Sequence, residues 1–266
     1  MLADGLVSVI VPTFNSSGTL QTCLESVKRQ TYPHIETLVV DNYSTDSTVH
    51  IARRYGKVFT KGRERSAQRN FGAERSEGGY LVFLDSDIEL TPKVIEESVS
   101  KATQGYDAII FPELVVAEGF WGKCRALEAR CYLGDDLIEA PRFYRSAVFR
   151  QLGGFDLDLT GWEDWDLARR IRYAGYKVTR IRSLTFHHEG KVHPFQIIAK
   201  KYYYGRTVSG YLRKHRSAST KQIPILRTAY VRNRKILARQ PIHAMGFIIL
   251  KALESIAVSI GRVVAH

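Results

Sequence analysis

The chain has 266 residues, 44% of them hydrophobic, which suffices for the core of one large domain and excludes a second domain of similar size. Its formal net charge of +12 is unevenly distributed: residues 190–266 contain 15 lysines and arginines and one acid, Glu254, whereas residues 1–189 contain 24 basic and 26 acidic residues. A basic segment of this kind indicates contact with an anionic membrane or with nucleic acid. Three cysteines without a CxxC pair, and the absence of signal-peptide features, favour the cytosol.

The first half of the sequence alternates strand-like and helix-like segments. Apolar, β-branched runs predict strands over residues 6–11, 35–40 and 80–84, and residues 20–27 carry leucine and valine at helical spacing. Strands that alternate with helices form a parallel sheet, and ligands bind beyond the carboxyl ends of its strands. We therefore predict an α/β fold with a Rossmann-like, mostly parallel central sheet flanked by helices.

The second half contains more loops. Its regular elements are expected at residues 108–111, 119–133, 167–173 and 177–181. Loop-rich segments that contribute to a site are expected at residues 140–144, 153–155 and 161–166.

Asp85, Ser86 and Asp87 directly follow the predicted strand 80–84. Two carboxylates one residue apart at a strand end can hold Mg²⁺ or Mn²⁺, whose other ligands would be phosphate oxygens. A polar turn is the structural alternative for an isolated Asp-Ser-Asp sequence. Asp41 ends another predicted strand, where a carboxylate can accept from a nucleobase N–H or a ribose hydroxyl. Acidic strand ends on one edge of the sheet favour a site for a metal and a nucleotide.

One short segment places three carboxylates and two indoles at a predicted helix start. Acids at a helix N-terminus have an ordinary electrostatic explanation. The position of Trp162 beside Glu163 and Asp164 instead favours a base for an acceptor hydroxyl next to an aromatic face for a sugar ring. His187 and His188 follow the last predicted strand and can add an imidazole to a metal held by carboxylates. A structural role for this histidine pair stays open.

Six segments of the chain, in this order, resemble the inverting family 2 glycosyltransferases, which have the GT-A fold. The resemblance runs from residue 7 to about residue 188, and only the combination of segments is specific. The segments are residues 9–15, 39–46, 66–70, 80–87, 153–156 and 162–166.

The resemblance implies a set of donor-binding residues and a divalent cation, Mn²⁺ or Mg²⁺. The donor-binding set is Pro12, Thr13, Asp41, Arg69, Asp85 and Ser86. The metal ligands would be Asp87 and Asp85, completed by His187 or His188. Asn42 stands where family members often carry a second aspartate, so UDP-sugars and GDP-sugars are both retained as donors.

The resemblance also implies the residues that act on the acceptor. Asp164 would be the catalytic base, with Glu163 as its nearest competitor, and Trp162 and Gly154 would contact the acceptor or the sugar. A phosphate acceptor is already ionised and needs no base. The acidic pair therefore favours a hydroxyl acceptor, such as a lipid-linked saccharide or another glycan, over a polyprenyl phosphate. The Gln-x-x-Arg-Trp pattern of processive synthases is absent, which favours a single sugar addition.

Two other functional classes compete with sugar transfer. A nucleotidyltransferase that makes the activated sugar would need a glycine-rich, basic phosphate loop after the first strand, and the sequence has none. A basic nucleotide- or nucleic-acid-binding protein without transferase activity would use the basic C-terminal segment. No segment resembles a nucleic-acid-binding motif, so we expect no nucleic-acid partner.

The boundary between a catalytic domain and a C-terminal extension is expected near residue 190. Residues 1–190 would be the GT-A domain, and residues 191–266 a basic, amphipathic, helical extension. From Pro241 onward, apolar residues recur on one side of a predicted helix: Ile242, Met245, Ile249, Leu253, Ile256, Ile260 and Val263. Lys251, Glu254 and Arg262 interrupt the apolar sequence, whose longest run falls far short of the ~18 residues of a membrane span.

This extension is expected to be a peripheral, monotopic anchor on the cytoplasmic side of the cell membrane. Its apolar stripes would enter the headgroup region while lysines and arginines contact anionic lipids. Tyrosines suit such an interface, and the candidates are Tyr202, Tyr203, Tyr204 and Tyr211. The alternative is a helical extension that packs on the core or on another subunit.

Overall fold

The computed structural model describes residues 3–62, 64–215 and 227–264. The chain divides into two compact units. The first unit consists of Met1–Pro112, Ala140–Leu157 and Leu167–His188, and the second of Glu113–Glu139, Asp158–Asp166 and Glu189–His266. The predicted extension, residues 191–266, falls in the second unit, and its residues 216–226, 265 and 266 lie outside the described residues.

Strands and helices alternate through most of the first unit. The strands are β1 (Ala3–Thr13), β2 (Ile35–Asp41), β3 (Lys57–Thr60), β4 (Gly78–Phe83), β5 (Ile88–Leu90), β6 (Ala108–Ile110), β7 (Glu113–Glu118), β8 (Pro141–Arg145), β9 (Val178–Arg180) and β10 (Thr185–Lys191). In the described residues of both units, the helices are α1 (Leu20–Lys28), α2 (Thr48–Ala52), α3 (Arg65–Arg75), α4 (Val94–Thr103), α5 (Gly119–Tyr132), α6 (Ser146–Gln151), α7 (Glu163–Tyr173), α8 (Pro194–Lys214), α9 (Thr228–Arg232), α10 (Arg234–Ala238) and α11 (Pro241–Val264).

The central sheet confirms the predicted α/β fold. Its strand order in the described chain is β3-β2-β1-β4-β8-β6-β9. β1 pairs in parallel with β2 and β4, whereas β8 runs antiparallel to both of its neighbours, β4 and β6. The sheet is therefore mostly parallel, as predicted. β5 and β10 form a separate antiparallel pairing that joins His187 to Ile88 in register.

Both faces of the central sheet are buried. Val9 and Val11 of β1 pack in one hydrophobic cluster, and Ile10 between them packs in a second cluster on the opposite face. Parallel sheets covered on both sides require apolar residues at successive positions rather than at alternate ones. This requirement explains why the strands read as short, uninterrupted apolar runs.

Two segments predicted as loops are regular structure instead. Residues 140–144 were expected to be loop-rich, but Pro141–Arg145 is strand β8, with Phe143 and Tyr144 fully buried. Proline is tolerated at the first residue of a strand. In the segment 161–166, helix α7 already begins at Glu163, and acids in its first turn and arginines in its last complement the helix dipole.

The second unit is built mainly from helices and has its own hydrophobic core. Leu127 of α5, Tyr230 of α9 and Phe247 of α11 belong to this core. Helices α8 and α11 approach closely at two glycines: a Cβ on Gly261 would lie 2.1 Å from the Tyr202 carbonyl oxygen, and one on Gly205 2.3 Å from the Val258 carbonyl oxygen. Among the described residues, no helix is long and apolar enough to cross a membrane.

The expectation that Tyr211 lies at a membrane interface is wrong. Tyr211 is fully buried, and its ring stacks on Trp162 with 5.6 Å between ring centroids. Lys251 and Glu254, which interrupt the apolar sequence of α11, lie on the buried side of that helix. The buried side of α11 is therefore partly ionic, a feature that the hydrophobic pattern alone does not specify.

Candidate active site

Asp41 and Thr13 end two neighbouring parallel strands and lie in register. Both are buried, at 1% and 2% exposure. The Thr13 hydroxyl donates to Asp41 Oδ1 at 2.8 Å, and Ser44 donates its hydroxyl to Oδ1 and its backbone N–H to Oδ2. These donors fix the carboxylate at the strand end, and its contact with a nucleotide stays a prediction. Pro12, the residue before Thr13, is buried and pairs with Val40.

The loops after β1 and β2 are tied together by side-chain hydrogen bonds. Asn15, with a positive φ of 47°, accepts from the backbone N–H of Thr45 at 2.9 Å. Asp46 accepts from the Thr48 hydroxyl and from the backbone N–H groups of Thr48 and Ser17, and these bonds, that of the hydroxyl most of all, lower its pKa. Asp46 therefore has a structural role in holding the two loops together, while Asp41 remains the candidate functional acid.

Asp85 lies among arginines just beyond β4. Its carboxylate is 2.6 Å from Arg69 Nη2, 3.4 Å from Arg142 Nη1 and 3.9 Å from Arg65 Nη1. Burial raises the pKa of Asp85, but the positive charges of these three arginines hold that pKa well below 3.8. Arg69 is 1% exposed and also lies over the Phe155 ring. Asp85 is thus an ionised partner for guanidinium groups at this edge of the sheet.

Replacement of Asp85 by asparagine is expected to destabilise the fold at neutral pH. It removes the carboxylate nearest to the buried Arg69, and breaking such a pair costs about 3 kcal/mol. Because the folded pKa is depressed, the stabilisation is complete above the ordinary pKa of about 4 and is lost as pH falls through the folded value.

Urea denaturation at pH 7 and at pH 3 tests this expectation, with Glu74→Gln, the same carboxylate-to-amide change at an exposed position, as control. The difference in unfolding free energy between wild type and Asp85→Asn should be largest at pH 7. An equal difference at both pH values would contradict the assignment of an ionised, arginine-bound Asp85.

Asp87 and His187 face each other across the β5–β10 pairing. His187 Nε2 lies 3.2 Å from Asp87 Oδ2. Asp87 Oδ1 is buried and has no hydrogen-bond partner among the described residues. A buried carboxylate oxygen without a partner is costly. A cation bound to this oxygen would remove the free-energy cost of leaving it without a partner. Asp87 and His187 are therefore suited to be two ligands of a divalent ion.

His188 points away from Asp87. Its Nε2 lies 2.9 Å from Glu89 Oε2, while its backbone N–H donates to the Asp87 carbonyl oxygen at 2.8 Å. Successive side chains of a strand alternate between faces, which separates the two histidines. Ser86, between the two aspartates, donates to the Ser16 hydroxyl at 3.0 Å.

The described side chains do not by themselves complete a metal site. No cluster of three or more His, Cys, Asp or Glu residues among them has a geometry that could hold a metal ion. Asp85 is engaged by arginines, and His188 by Glu89. A cation held here would therefore take most of its ligands from bound phosphate oxygens and water, as hard cations such as Mg²⁺ commonly do.

The acidic segment at the start of α7 lies in the second unit. Glu163 is buried at 2% exposure, whereas Asp164 is partly exposed. Asp166 is fully buried and lies 2.9 Å from His215 Nε2. Trp162 donates its indole N–H to the Tyr204 carbonyl oxygen at 2.8 Å. Of the three acids, Asp164 is the one that solvent reaches.

Gly154 lies in a turn of the first unit that packs on α3. It has a φ of +68°, and a Cβ there would lie 2.7 Å from Asn70 Oδ1. Asn70 accepts from the Phe155 backbone N–H and donates to the Phe155 carbonyl oxygen. This packing explains the glycine structurally. Its contact with a sugar stays a prediction, as does that of Trp162.

Arg142 and Gln68 are site residues that the sequence reasoning missed. Arg142 lies on β8, which was expected to be a loop, and its charge gave no indication of contact with Asp85. Gln68 is buried and donates to the carbonyl oxygens of Thr13 and Val40, at the ends of β1 and β2. Its neighbour Arg69 was selected, but nothing in the local sequence distinguished Gln68 from an ordinary helix residue.

Comparison with known proteins shows the family to which the chain belongs. Residues 8–203 match the model of the family described as Glycosyl transferase family 2. Glycosyltransferase AglE of Haloferax volcanii is 29% identical over 214 residues, which are 73% of this chain and 70% of AglE. The matches to some other relatives are shorter. One match covers 32% of the length of the relative, and another covers 36%.

Solved structures show the same fold. The mannosyltransferase PcManGT from Pyrobaculum calidifontis, in complex with GDP-Man and Mn²⁺, has a TM-score of 0.69 at 17% identity, covering 97% of this chain and 86% of that one. S. aureus TarS 1–349 in complex with UDP-GlcNAc has a TM-score of 0.54 at 18% identity, covering 98% and 90%. Because the family model matches most of this chain, the chain belongs to glycosyl transferase family 2.

Proposed function

We propose that this glycosyltransferase moves one sugar from a UDP- or GDP-sugar to a hydroxyl acceptor, with inversion at the anomeric carbon and with a divalent cation, Mn²⁺ or Mg²⁺. The observation that carries the proposal is the pairing of Asp87 with His187 beside the arginine-bound Asp85. Family membership supports it, as do GDP-Man and Mn²⁺ in the PcManGT structure and UDP-GlcNAc in the TarS structure.

The donor would be held at the carboxyl ends of β1, β2 and β4. Asp41 Oδ2 accepts a single hydrogen bond among the described residues, from Ser44. A carboxylate oxygen has two lone pairs, so Oδ2 can accept one more, from a nucleobase N–H or a ribose hydroxyl. Arg65, Arg69 and Arg142 place positive charge around Asp85, which suits a diphosphate. These arginines would attract and orient the donor.

Asp87 and His187 would hold the divalent cation. Oxygen and imidazole ligands suit Mn²⁺. Because Asp87 Oδ1 has no hydrogen-bond partner in the described part of the chain, a cation could bind there without displacing a hydrogen bond. The ion supplies positive charge that offsets the charge developing on the departing nucleoside diphosphate. We assign the ligand role to His187 and a structural role to His188, because their side chains contact different acids.

Asp164 would act as the general base. The acceptor hydroxyl loses its proton to the Asp164 carboxylate while its oxygen attacks the anomeric carbon. The bond from that carbon to the diphosphate oxygen breaks, and the electron pair leaves with the diphosphate. Attack from the opposite face inverts the anomeric configuration. Asp164 is favoured over Glu163 as the base because Asp164 is partly exposed, whereas Glu163 is buried.

The acceptor would be a lipid-linked saccharide at the cytoplasmic face of the cell membrane. A base is needed for a hydroxyl and not for a polyprenyl phosphate, which is already ionised. The basic composition of residues 190–266 suits an anionic membrane. In this proposal, residues 1–190 act as the catalytic domain and residues 191–266 as the peripheral anchor.

A donor panel tests the proposal. UDP- and GDP-sugars are incubated with the full-length protein, with Mn²⁺, with Mg²⁺ and with EDTA, and released nucleoside diphosphate is measured. We expect turnover or slow hydrolysis of at least one donor that stops in EDTA and returns with added metal. Absence of both turnover and binding for every donor would contradict the proposal. Adding hydroxyl and phosphate acceptors to the active donor then identifies the acceptor class.

A further inference from the structure

Helix α11 buries Phe247 and Leu250 but exposes a second row of apolar residues on its other side. The residues concerned, hereafter the apolar stripe, are Ile242, Met245, Ile249, Leu253, Ile256 and Ile260. They recur every three or four positions and so share one side of the helix. Each is between 39% and 66% exposed. A surface helix of a globular protein normally turns its apolar side to the core. The stripe is therefore a contiguous apolar surface that the described residues leave exposed. Surfaces of this kind mark interaction sites.

The opposite side of α11 is fixed by buried ions. Lys251 Nζ lies 2.8 Å from Glu128 Oε1 of α5 and 2.5 Å from Glu254 Oε2. Lys201 of α8 lies 3.7 Å from Glu254, and Arg125 lies 2.9 Å from Glu128. Rotation of α11 to bury the stripe would take Lys251 away from Glu128. Separating a buried carboxylate from its cation is strongly unfavourable, so the ionic contacts hold the stripe outward.

The charge around the stripe indicates what covers it. Arg239 lies two residues before the start of α11 and Arg262 lies near its end, and both are exposed. Arg234 and Lys235 of α10 are exposed as well. The one acid of residues 190–266, Glu254, is buried. A second copy of this chain would bring like charge against like charge, whereas an anionic lipid surface complements it.

The length of α11 fits a helix that lies in the plane of the interface. Its 24 residues extend about 36 Å at 1.5 Å per residue. Among the described helices, none is able to span a bilayer. An in-plane helix inserts its apolar side into the headgroup boundary, while flanking basic residues contact lipid phosphates.

We infer that the apolar stripe of α11 is the surface by which this protein docks on anionic membranes. The inference deepens the proposed membrane location: of the apolar residues and tyrosines expected to contact lipid, it selects one exposed face of α11. Its test does not depend on sugar transfer, because vesicle binding is measured without donor or acceptor. Failure of docking and failure of the proposed reaction are therefore distinguishable.

Cosedimentation of the full-length protein with vesicles tests the inference. One vesicle preparation contains phosphatidylcholine with phosphatidylglycerol, and the other phosphatidylcholine alone. We expect wild type to bind the anionic vesicles more tightly. Ile249→Asp combined with Ile256→Asp should weaken that binding roughly tenfold or more. The matched control, Thr22→Asp combined with Gln104→Asp, makes the same charge change at exposed positions of the first unit and should stay close to wild type.

Two further measurements keep the outcomes distinct. Circular dichroism checks that each variant is folded. The double variant Ile249→Ser with Ile256→Ser adds no charge and should also weaken vesicle binding. Sedimentation velocity measures the oligomeric state. The inference is overturned if wild type stays in the supernatant with anionic vesicles, if the stripe variants bind as wild type does, or if wild type is a dimer that the stripe variants dissociate without any vesicle binding.

Discussion

Asp164→Asn is expected to abolish most sugar transfer while leaving donor binding intact. An asparagine keeps the size of the side chain but cannot take the proton of the acceptor hydroxyl. A positioned general base contributes roughly 10²–10⁴-fold to a rate, and kcat should fall by that factor. The KM for the donor should change little, because the base acts on the acceptor. Steady-state kinetics with the active donor from the panel measure both quantities.

Two comparisons make the Asp164 result specific. Glu74→Gln makes the same carboxylate-to-amide change at an exposed acid of α3 and should retain wild-type kinetics. Glu163→Gln tests the competing base: because Glu163 is buried, its loss should show mainly as lower stability. Full transfer by Asp164→Asn, or a selective loss of kcat in Glu163→Gln with stability unchanged, would move the base away from Asp164.

Asp87→Asn is expected to lower kcat by about a hundredfold to a thousandfold, since loss of several kcal/mol of metal-derived stabilisation corresponds to factors of this size. The remaining activity should require higher concentrations of Mn²⁺, because the amide is a weaker ligand than the carboxylate. Titration of activity against Mn²⁺ at saturating donor separates the two effects. His187→Ala should shift the metal dependence in the same direction.

The neighbouring pair on β10 provides the comparison for this prediction. His188 contacts Glu89 on the other face of the strand, so His188→Ala and Glu89→Gln should leave the Mn²⁺ titration near wild type. The opposite pattern, in which the His188 variant loses metal dependence and the His187 variant does not, would show that the ligand was assigned to the wrong histidine.

Predictability from sequence differed sharply between elements of the fold. The strands at residues 6–11, 35–40 and 80–84 were confirmed because burial on both faces selects uninterrupted apolar runs. β8 was missed because it begins with proline and carries two arginines, and only its position between β4 and β6 makes it a central strand. β5 has three residues directly after the acidic turn, too few to show a period.

The candidate site was predictable in its acids and less so in its cations. Asp41, Asp85 and Asp87 follow strands, and parallel topology places strand ends on one edge. The pattern that selected Asp85 as a site residue did not reveal Arg65 and Arg142 beside it, because ion pairs join residues that are distant in sequence. The choice between His187 and His188 depends on the register of β10 with β5, which local sequence does not encode.

Helix α11 shows the limit of periodicity as a guide. The spacing of its apolar residues correctly identifies a helix with an apolar side. It does not say whether that side faces the core or the outside. Contacts of Lys251 and Glu254 with α5 and α8 determine the orientation, and these partners come from other parts of the chain.

The binding of Mn²⁺ together with a nucleoside diphosphate tests the central claim most directly, because the account requires a cation shared between Asp87, His187 and the diphosphate. Electron paramagnetic resonance of free Mn²⁺, titrated with protein, measures the bound fraction with and without UDP or GDP. We predict weak Mn²⁺ binding by the protein alone, much tighter binding with the matching nucleotide than by the nucleotide itself, and loss of this enhancement in Asp87→Asn. Mn²⁺ binding that is unchanged by nucleotide and by the Asp87 substitution would contradict the account.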